Sequence, residues 1–527
     1  MSNASLPTIR VAGALADALT AEALSQLGTA QLAAFLLERR WFGGKGRAPS
    51  RVRIGDVVEI RHGALRAAVV RLDVDTGAGG AVYYQVPLAV RHAGGVEPSA
   101  VLARVEAGAE RGLLFDAVED ESFRAALGSA FGSGAIFGND IAAGGAHPAR
   151  WIVERVATHD TSPAKLVGLP SRTVRAEQSN TSIIFGNAAI LKLFRRLEPG
   201  LNPDVEIGRF LTTKTDFTHT PPLLGVVRYE GSDGTDCIAG MLQHFLPGSA
   251  DAWQDALARS RSYFAGDARG AAEQPFTTDA ERLGQVTREL HDALASSQAD
   301  AAFVPRRALP TDVARWAASA RQRIEEAIAL LAERVETGGV VNEHGARGII
   351  DERDGYLHRI DELTATIGDD AGQMIRHHGD YHLGQVLRTA DGDYQIIDFE
   401  GEPARPLAER RERNSALRDV AGMLRSFAYA GATLAAEQAG RSNAAEMEQR
   451  AAAWERVARV AFLRGYLGER TAPFLPSTTR AIDAVRELFE TEKVFYELSY
   501  ELNNRPAWVW IPITGATALR FAPAGKP

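Results

Sequence analysis

The chain has 527 residues, 45% of them hydrophobic and 24% charged, which excludes a disordered or collagenous chain and exceeds one small binding module. Fifty-nine basic and 67 acidic residues leave a net charge of −8, which argues against nucleic acid as a partner. One cysteine, Cys237, rules out an intrachain disulfide and a cysteine-based metal cluster. The sequence offers no secretory signal and no apolar run of about 18 residues, so the expectation is a soluble cytoplasmic protein that does not enter a membrane.

Leu24, Leu27, Leu32 and Leu36 recur at helical spacing, so residues 1–50 read as helical up to the turn Arg40-Trp41-Phe42-Gly43-Gly44-Lys45-Gly46. Residues 51–105 alternate polar and apolar in short bursts, the signature of an antiparallel sheet. Residues 1–105 thus form an expected cap subdomain. The glycine-rich stretch Gly128–Gly145 reads as a flexible connection. Strand-like runs at 181–194 and 222–246, the first with a hairpin turn at Gly186-Asn187, make 106–246 a mainly-β lobe. Beyond Pro247 the pattern turns helical. Leu283, Val286, Leu290 and Leu294 line one face, and Val313, Trp316, Ala320, Ile324 and Leu331 another. Residues 247–527 are therefore a mainly-α lobe, with 336–349 and 437–447 reading as surface loops.

The densest chemistry lies in His377-His378-Gly379-Asp380-Tyr381-His382-Leu383-Gly384-Gln385, followed by a short strand that ends in Asp398-Phe399-Glu400. Two acids 18 residues apart, with a loop and hairpin between them, have the spacing of a kinase catalytic loop and its metal-binding aspartate. A phosphoryl acceptor must be oriented and relieved of its proton, which suits the Asp380 carboxylate. Magnesium prefers oxygen, which Gln385 and Asp398 supply. Upstream, Lys192 lies inside an apolar strand, where a charge needs anionic partners. Glu206 stands near the start of a helix entered through Asn202-Pro203-Asp204, and is the expected brace for a lysine on ATP phosphates. No G-x-G-x-x-G precedes Lys192; Ser179, Asn180 and Thr181 stand where phosphates would be lined. Gln243 and Phe245 mark the segment whose backbone would meet adenine.

These residues together resemble the maltokinase family, within the aminoglycoside-phosphotransferase-like kinases. The likeness runs through Arg40-Trp41-Phe42, Glu177–Ser182, Ile190-Leu191-Lys192-Leu193-Phe194-Arg195-Arg196, Asn202-Pro203-Asp204 and His378–Leu387. It continues in Asp398-Phe399-Glu400-Gly401-Glu402-Pro403, Leu417–Phe427 and the run from Tyr496 to Pro512. The resemblance implies an α+β, protein-kinase-like bilobal fold with an N-terminal cap and a mainly helical C-terminal lobe. It implies ATP and Mg2+ as cofactors, maltose as acceptor, and maltose 1-phosphate as a product feeding α-glucan synthesis from trehalose. The residues of the cap do not assign its purpose: a lid and a docking surface for a trehalose-isomerising enzyme fit equally. Carried over by motif, Asp380 is the base, Gln385 and Asp398 hold magnesium, and Lys192 with Glu206 holds ATP.

For the sugar, Lys493, Tyr496, Glu497, Tyr500 and Glu501 fall on one helical face that mixes charge and aromatic rings, and His382 lies two residues after the base. Glu497 and Glu501 would attract an ammonium as readily as a hydroxyl, so glucosamine or an aminoglycoside is the alternative acceptor. A pseudokinase binding module is a third reading. The intact set Lys192, Glu206, Asp380, Gln385 and Asp398 argues against it. Asp419 is expected to fix the catalytic loop or cap a helix, and His291 to be a satisfied core histidine.

Overall fold

A computed structural model describes residues 6–43, 48–77, 80–92, 98–138, 148–156, 166–174, 180–265, 276–340, 342–438, 444–468 and 471–520. The chain divides into two units, Met1–Lys214 with Pro221–Pro247, and Thr215–Thr220 with Gly248–Pro527.

The first unit contains two sheets. In one, the long strands Arg51–His62, Leu65–Asp75 and Ala81–His92 form an antiparallel meander that continues through Glu110–Asp116 to Val101–Ala107. The sheet therefore runs past residue 105 to Asp116. Its edge is Thr8–Val11, paired parallel to Val101–Ala107, where a helical reading was expected. Local periodicity misses a four-residue strand whose partner lies far along the chain, Thr8 pairing with Arg104 and Val11 with Ala107. Leu24 ends the short helix Ala21–Leu24, Leu32 and Leu36 lie on the helix Thr29–Leu37, and Leu27 sits in the bend between them; all four cover one face of this sheet with Phe35, Trp41 and Phe42.

The second sheet has seven antiparallel strands among the described residues, with Leu223–Glu230 and Asp236–His244 at its centre. The expected hairpin is present: Asn180–Phe185 pairs with Ala189–Phe194, and Phe185 faces Ala189 across the turn. Gly186 takes φ 53° there, which glycine adopts without strain. Part of the expected connection 128–145 is helical instead: Glu121–Ser133 is a helix, N-capped by Asp120, that buries Phe123, Leu127 and Phe131. Small residues mixed with phenylalanines at helical spacing read falsely as a linker. Residues 139–147 lie outside the described residues.

The two sheets share one core. Val58, Ile60 and Val69 of the first pack in the same cluster as Trp151, Ile183, Leu193 and Val227 of the second. Gln85, 0% exposed, sits between them. Its Nε2 donates to the carbonyls of Phe194 (2.7 Å) and Ala239 (2.6 Å), and its Oε1 accepts from Trp151 Nε1 (3.1 Å).

The second unit is mainly helical. Its longest helices are Thr277–Leu294, Pro310–Glu336, Leu417–Glu437, Ala444–Leu467 and Thr479–Asn504. The apolar faces expected on the first two are buried. Gly284 and Gly465 let Thr277–Leu294 and Ala444–Leu467 touch, since a Cβ at either would lie within 2.1 Å of a carbonyl oxygen on the other helix. The expected loop at 336–349 holds the start of a helix, Glu343–Asp351, capped by Asn342. Of 437–447, residues from Ala444 onward are helical and 439–443 lie outside the described residues.

Replacing Gln85 by methionine keeps the volume but strands three buried polar groups. The cost is expected to be about 2–4 kcal/mol, read as a melting midpoint lower by about 5 °C or more.

Candidate active site

In the first unit, Lys192 extends from the inner strand of the hairpin opposite Ser182. Its Nζ lies 3.3 Å from Asp204 Oδ2, in the first turn of the helix Pro203–Lys214. Asp204 is almost fully buried, and its backbone N–H donates to Asn202 Oδ1 at 2.8 Å. Sequence reading named Glu206 as the brace; the structure adds Asp204 two residues earlier, and Glu206 follows on the same helical turn. Thr181 accepts from Arg195 Nε at 2.8 Å. Gln243 lies across from Ile190, and the Phe245 N–H donates to the Ala188 carbonyl at 3.1 Å. Ser179 lies outside the described residues.

In the second unit, the segment 377–385 is held from below by one buried carboxylate. Asp419 accepts from the backbone N–H of His378 (2.7 Å) and of Gly379 (2.9 Å). His291 Nε2 lies 3.1 Å from the same group, and His291 Nδ1 lies 2.9 Å from Tyr466 Oη. Burial alone would raise the Asp419 pKa, but the His291 bond and the nearby His377 outweigh it and hold this carboxyl well below the usual range. Both expectations for these residues hold, because Asp419 fixes the loop and His291 is satisfied in the core. Gly379 takes φ 86°, and a Cβ there would press on Gly401 Cα at 3.3 Å. The loop and the Asp-Phe-Glu-Gly segment are tied again by His378 Nε2 and the Ile397 carbonyl, 2.9 Å apart.

This arrangement leaves Asp380 half-buried on the wall of an open cleft that Tyr381, Glu402, Phe489, Lys493 and Tyr496 also line. Lys493 Nζ stands 3.6 Å from Asp380 Oδ1 and over the Tyr496 ring. Three more cations line the cleft, each with an acid nearby: Arg405 with Glu402 at 2.8 Å, Arg418 with Glu492 at 2.9 Å, and Arg323, which lies over Tyr496 and 3.7 Å from Glu326. Burial would raise the Glu402 pKa, yet Arg405 and Lys493 keep it below the ordinary value. Asp398 ends its hairpin in the left-handed region at φ 68°, which aspartate tolerates better than most residues. Its carboxylate comes within 4.8 Å of that of Glu400, a hard-oxygen pair that suits a divalent cation. Gln385 donates its N–H to the His382 carbonyl at the foot of the same hairpin.

The structure divides the helical face expected to hold the sugar. Lys493 and Tyr496 line the cleft; Glu497 and Glu501 do not. Glu497 is buried against Arg425 (Nη2 at 2.9 Å), and burial raises its pKa. Glu501 is buried between Tyr429 (3.0 Å) and Arg505 (2.5 Å). The helix Leu417–Glu437 packs over that flank, which spacing along one helix does not reveal. Tyr500 is 44% exposed and stacks on Tyr496. His382 Nδ1 accepts from the Gly384 N–H at 3.1 Å, closing a short turn, and burial lowers its pKa. Sequence reading assigned no role to Glu400, Glu402, Arg405, Arg418, Glu492 or Arg323. Glu400 and Glu402 stood in the quoted Asp-Phe-Glu-Gly-Glu-Pro run, the one signal that could have found them.

The fold is the α+β, protein-kinase-like fold with an N-terminal cap and a mainly helical C-terminal lobe. Residues 35–120 match the model for the maltokinase N-terminal cap domain. A glucosamine kinase from Mycolicibacterium smegmatis is 30% identical over 356 residues, 66% of this chain and 79% of that one. A second glucosamine kinase, from Streptacidiphilus jiangxiensis, is 28% identical over 369 residues, 68% and 75% of the two chains. The chain belongs to this family of capped sugar kinases. A solved glucosamine kinase in complex with glucosamine, ADP and inorganic phosphate shares the fold, with a TM-score of 0.62, 23% identity, and coverage of 93% of this chain and 98% of the other. Among the described residues, no helix is long and apolar enough to cross a membrane.

His377 is buried, its Nδ1 has no hydrogen-bond partner among the described residues, and burial pushes its pKa down to about 4. Above pH ~6.5 the ring is neutral folded or unfolded and contributes nothing. As pH falls from there to about 4, only the unfolded chain takes the proton, so stability falls by on the order of 3 kcal/mol. His377→Gln is expected to flatten the melting temperature across that window.

Proposed function

We propose that this chain transfers the γ-phosphoryl group of magnesium-bound ATP to a hydroxyl of a sugar, with glucosamine as the preferred acceptor. The observation that carries the reading is the Asp380 carboxylate on a tightly held turn, facing a cleft lined by charged and aromatic side chains. Kinship with two glucosamine kinases supports the amino sugar, as do the carboxylates of Asp380, Glu402 and Glu492 around the cleft. An ammonium gains most from acids at short range inside a partly dry pocket.

In this reading Asp380 orients the acceptor hydroxyl and takes its proton as the new O–P bond forms. Lys493, 3.6 Å away, is the cation beside that carboxylate. Lys192, held by Asp204 and followed by Glu206, neutralises the α- and β-phosphates. Thr181 and Asn180 line the phosphate side of the hairpin, and the backbone near Gln243 and Phe245 meets adenine. Gln385, Asp398 and Glu400 would hold the metal, which when bound offsets the charge on the phosphates.

Maltose is the second reading, and an aromatic ladder favours it. The Tyr496 and Tyr500 rings lie 6.4 Å apart and 24° from parallel, and Arg505 spans Tyr500 and Trp508. A second glucose ring would stack on such a platform. The cap-domain match supports the same reading. Its product would be maltose 1-phosphate, feeding α-glucan synthesis.

A coupled ADP-release assay with Mg-ATP against glucosamine, maltose, glucose and an aminoglycoside separates these. Turnover is expected with glucosamine; turnover confined to maltose would reject the amino sugar, and Tyr500→Ala should then raise KM for maltose. Asp380→Asn is expected to lower kcat by about 10²–10⁴-fold while Mg-ATP still binds in calorimetry. Near-normal turnover in that variant would remove Asp380 from the base role.

A further inference from the structure

Arg195 follows the lysine strand directly and is 1% exposed although it carries a permanent charge. A buried guanidinium is destabilising unless its donors are met. Its partners come from both sheets of the first unit. Nη2 donates to Asp116 Oδ2 at 2.8 Å, at the end of the cap strand Glu110–Asp116. Nε donates to Thr181 Oγ1 at 2.8 Å, on the outer strand of the hairpin. The Trp41 ring lies 4.9 Å from the guanidinium carbon, and the Gln85 N–H donates to the Arg195 carbonyl at 2.8 Å. Nη1 is buried without a hydrogen-bond partner among the described residues.

What a guanidinium supplies is a rigid fork that reaches two acceptors at once. Here the fork joins a cap carboxylate to a hydroxyl one residue from Ser182, which pairs in register with Lys192.

We propose that Arg195 is a positioning residue: by clamping Thr181 to the cap's Asp116 and Trp41, it holds the Asn180–Thr181 end of the hairpin where magnesium-bound ATP needs it. The cap thereby sets nucleotide affinity. This inference rests on the nucleotide-binding reading given above. It assigns a task to Trp41 and to Arg195, the parts of the cap and strand motifs that phosphoryl transfer leaves without one.

The test is Mg-ATP affinity by calorimetry on the full chain, with steady-state kinetics alongside. Arg195→Lys keeps the charge on Asp116 but loses the second arm of the fork; Thr181→Val is near-isosteric and removes the acceptor. Each single variant is expected to weaken Mg-ATP by about fivefold, the effect of one lost hydrogen bond. The double variant should also lose about fivefold, where independent roles would multiply to about 25-fold. KM for the sugar and kcat at saturating ATP should stay within about twofold for Arg195→Lys. Unchanged ATP affinity in Arg195→Lys with a lowered melting temperature would reduce Arg195 to a structural ion pair and overturn the proposal. Multiplying effects in the double variant would overturn it as well. If the unmodified chain fails to bind Mg-ATP, the nucleotide reading falls and the clamp with it; binding by the unmodified chain with unmoved variants sinks the clamp alone.

Discussion

The Asp419 carboxylate is the constraint on which the second unit's chemistry depends. It is a charge sealed from water, so every lone pair it presents must be met. The donors that meet it are two successive backbone N–H groups, of His378 and Gly379, and the ring of His291. Backbone donors are what make this consequential. A side chain that anchors another side chain fixes one rotamer, whereas one that anchors two peptide groups fixes the path of the chain. The path fixed here is the turn that ends at Asp380. The same turn is locked from above by His378 on the Ile397 carbonyl and by contact of Gly379 with Gly401. Two motifs separated by 18 residues are thereby held as one rigid piece, as a reaction sensitive to ångström displacements requires.

Around that piece the cleft is nearly balanced in charge. Asp380, Glu402 and Glu492 each have a cation at hand: Lys493, Arg405 and Arg418. This balance has two effects. It favours the ionised form of Glu402 and Glu492 despite their burial, since Arg405 and Arg418 hold their pKa below the ordinary value. It also means that an acceptor must compete with a built-in partner for each carboxylate, so affinity depends on how well its donors match existing geometry rather than on net field. Lys493 is the partner at the base itself, and its ammonium also lies over the Tyr496 ring.

What could be read from sequence was what local chemistry decides. The hairpin at Gly186-Asn187 and the helices through Leu283–Leu294 and Val313–Leu331 are encoded in short-range periodicity, and all are present. The His-Gly-Asp loop was legible because a turn, an acid and an amide at fixed offsets form a rare combination. The cleft cations were not, because Arg323, Arg405 and Arg418 arrive from three separate segments and nothing in their local sequence marks convergence. Glu497 and Glu501 failed for a related reason. Periodicity gives the direction a side chain takes around its own helix, and the neighbouring helix, with Arg425 and Tyr429, decides whether that direction meets a cleft or a core. The strand Thr8–Val11 was hidden for the same cause, since its strand pairing is to a parallel partner far along the chain.

The cap motif was visible but its use was not, and here packing is decisive. A lid must separate from what it covers, so its interface should be modest and its buried polar groups few. The cap sheet meets neither condition. It shares a hydrophobic cluster with the lysine-bearing sheet, and Gln85 is sealed between them with bonds to both. Arg71 is likewise buried among Asp56 and Asp73 of the cap and Asp233 of the hairpin Leu223–His244. Lifting the cap would strand an amide, two guanidinium groups and several carboxylates at once. The two sheets therefore move as one body, and any influence the cap has on the hairpin is exerted through fixed contacts, by where it sets Arg195 and not by opening and closing.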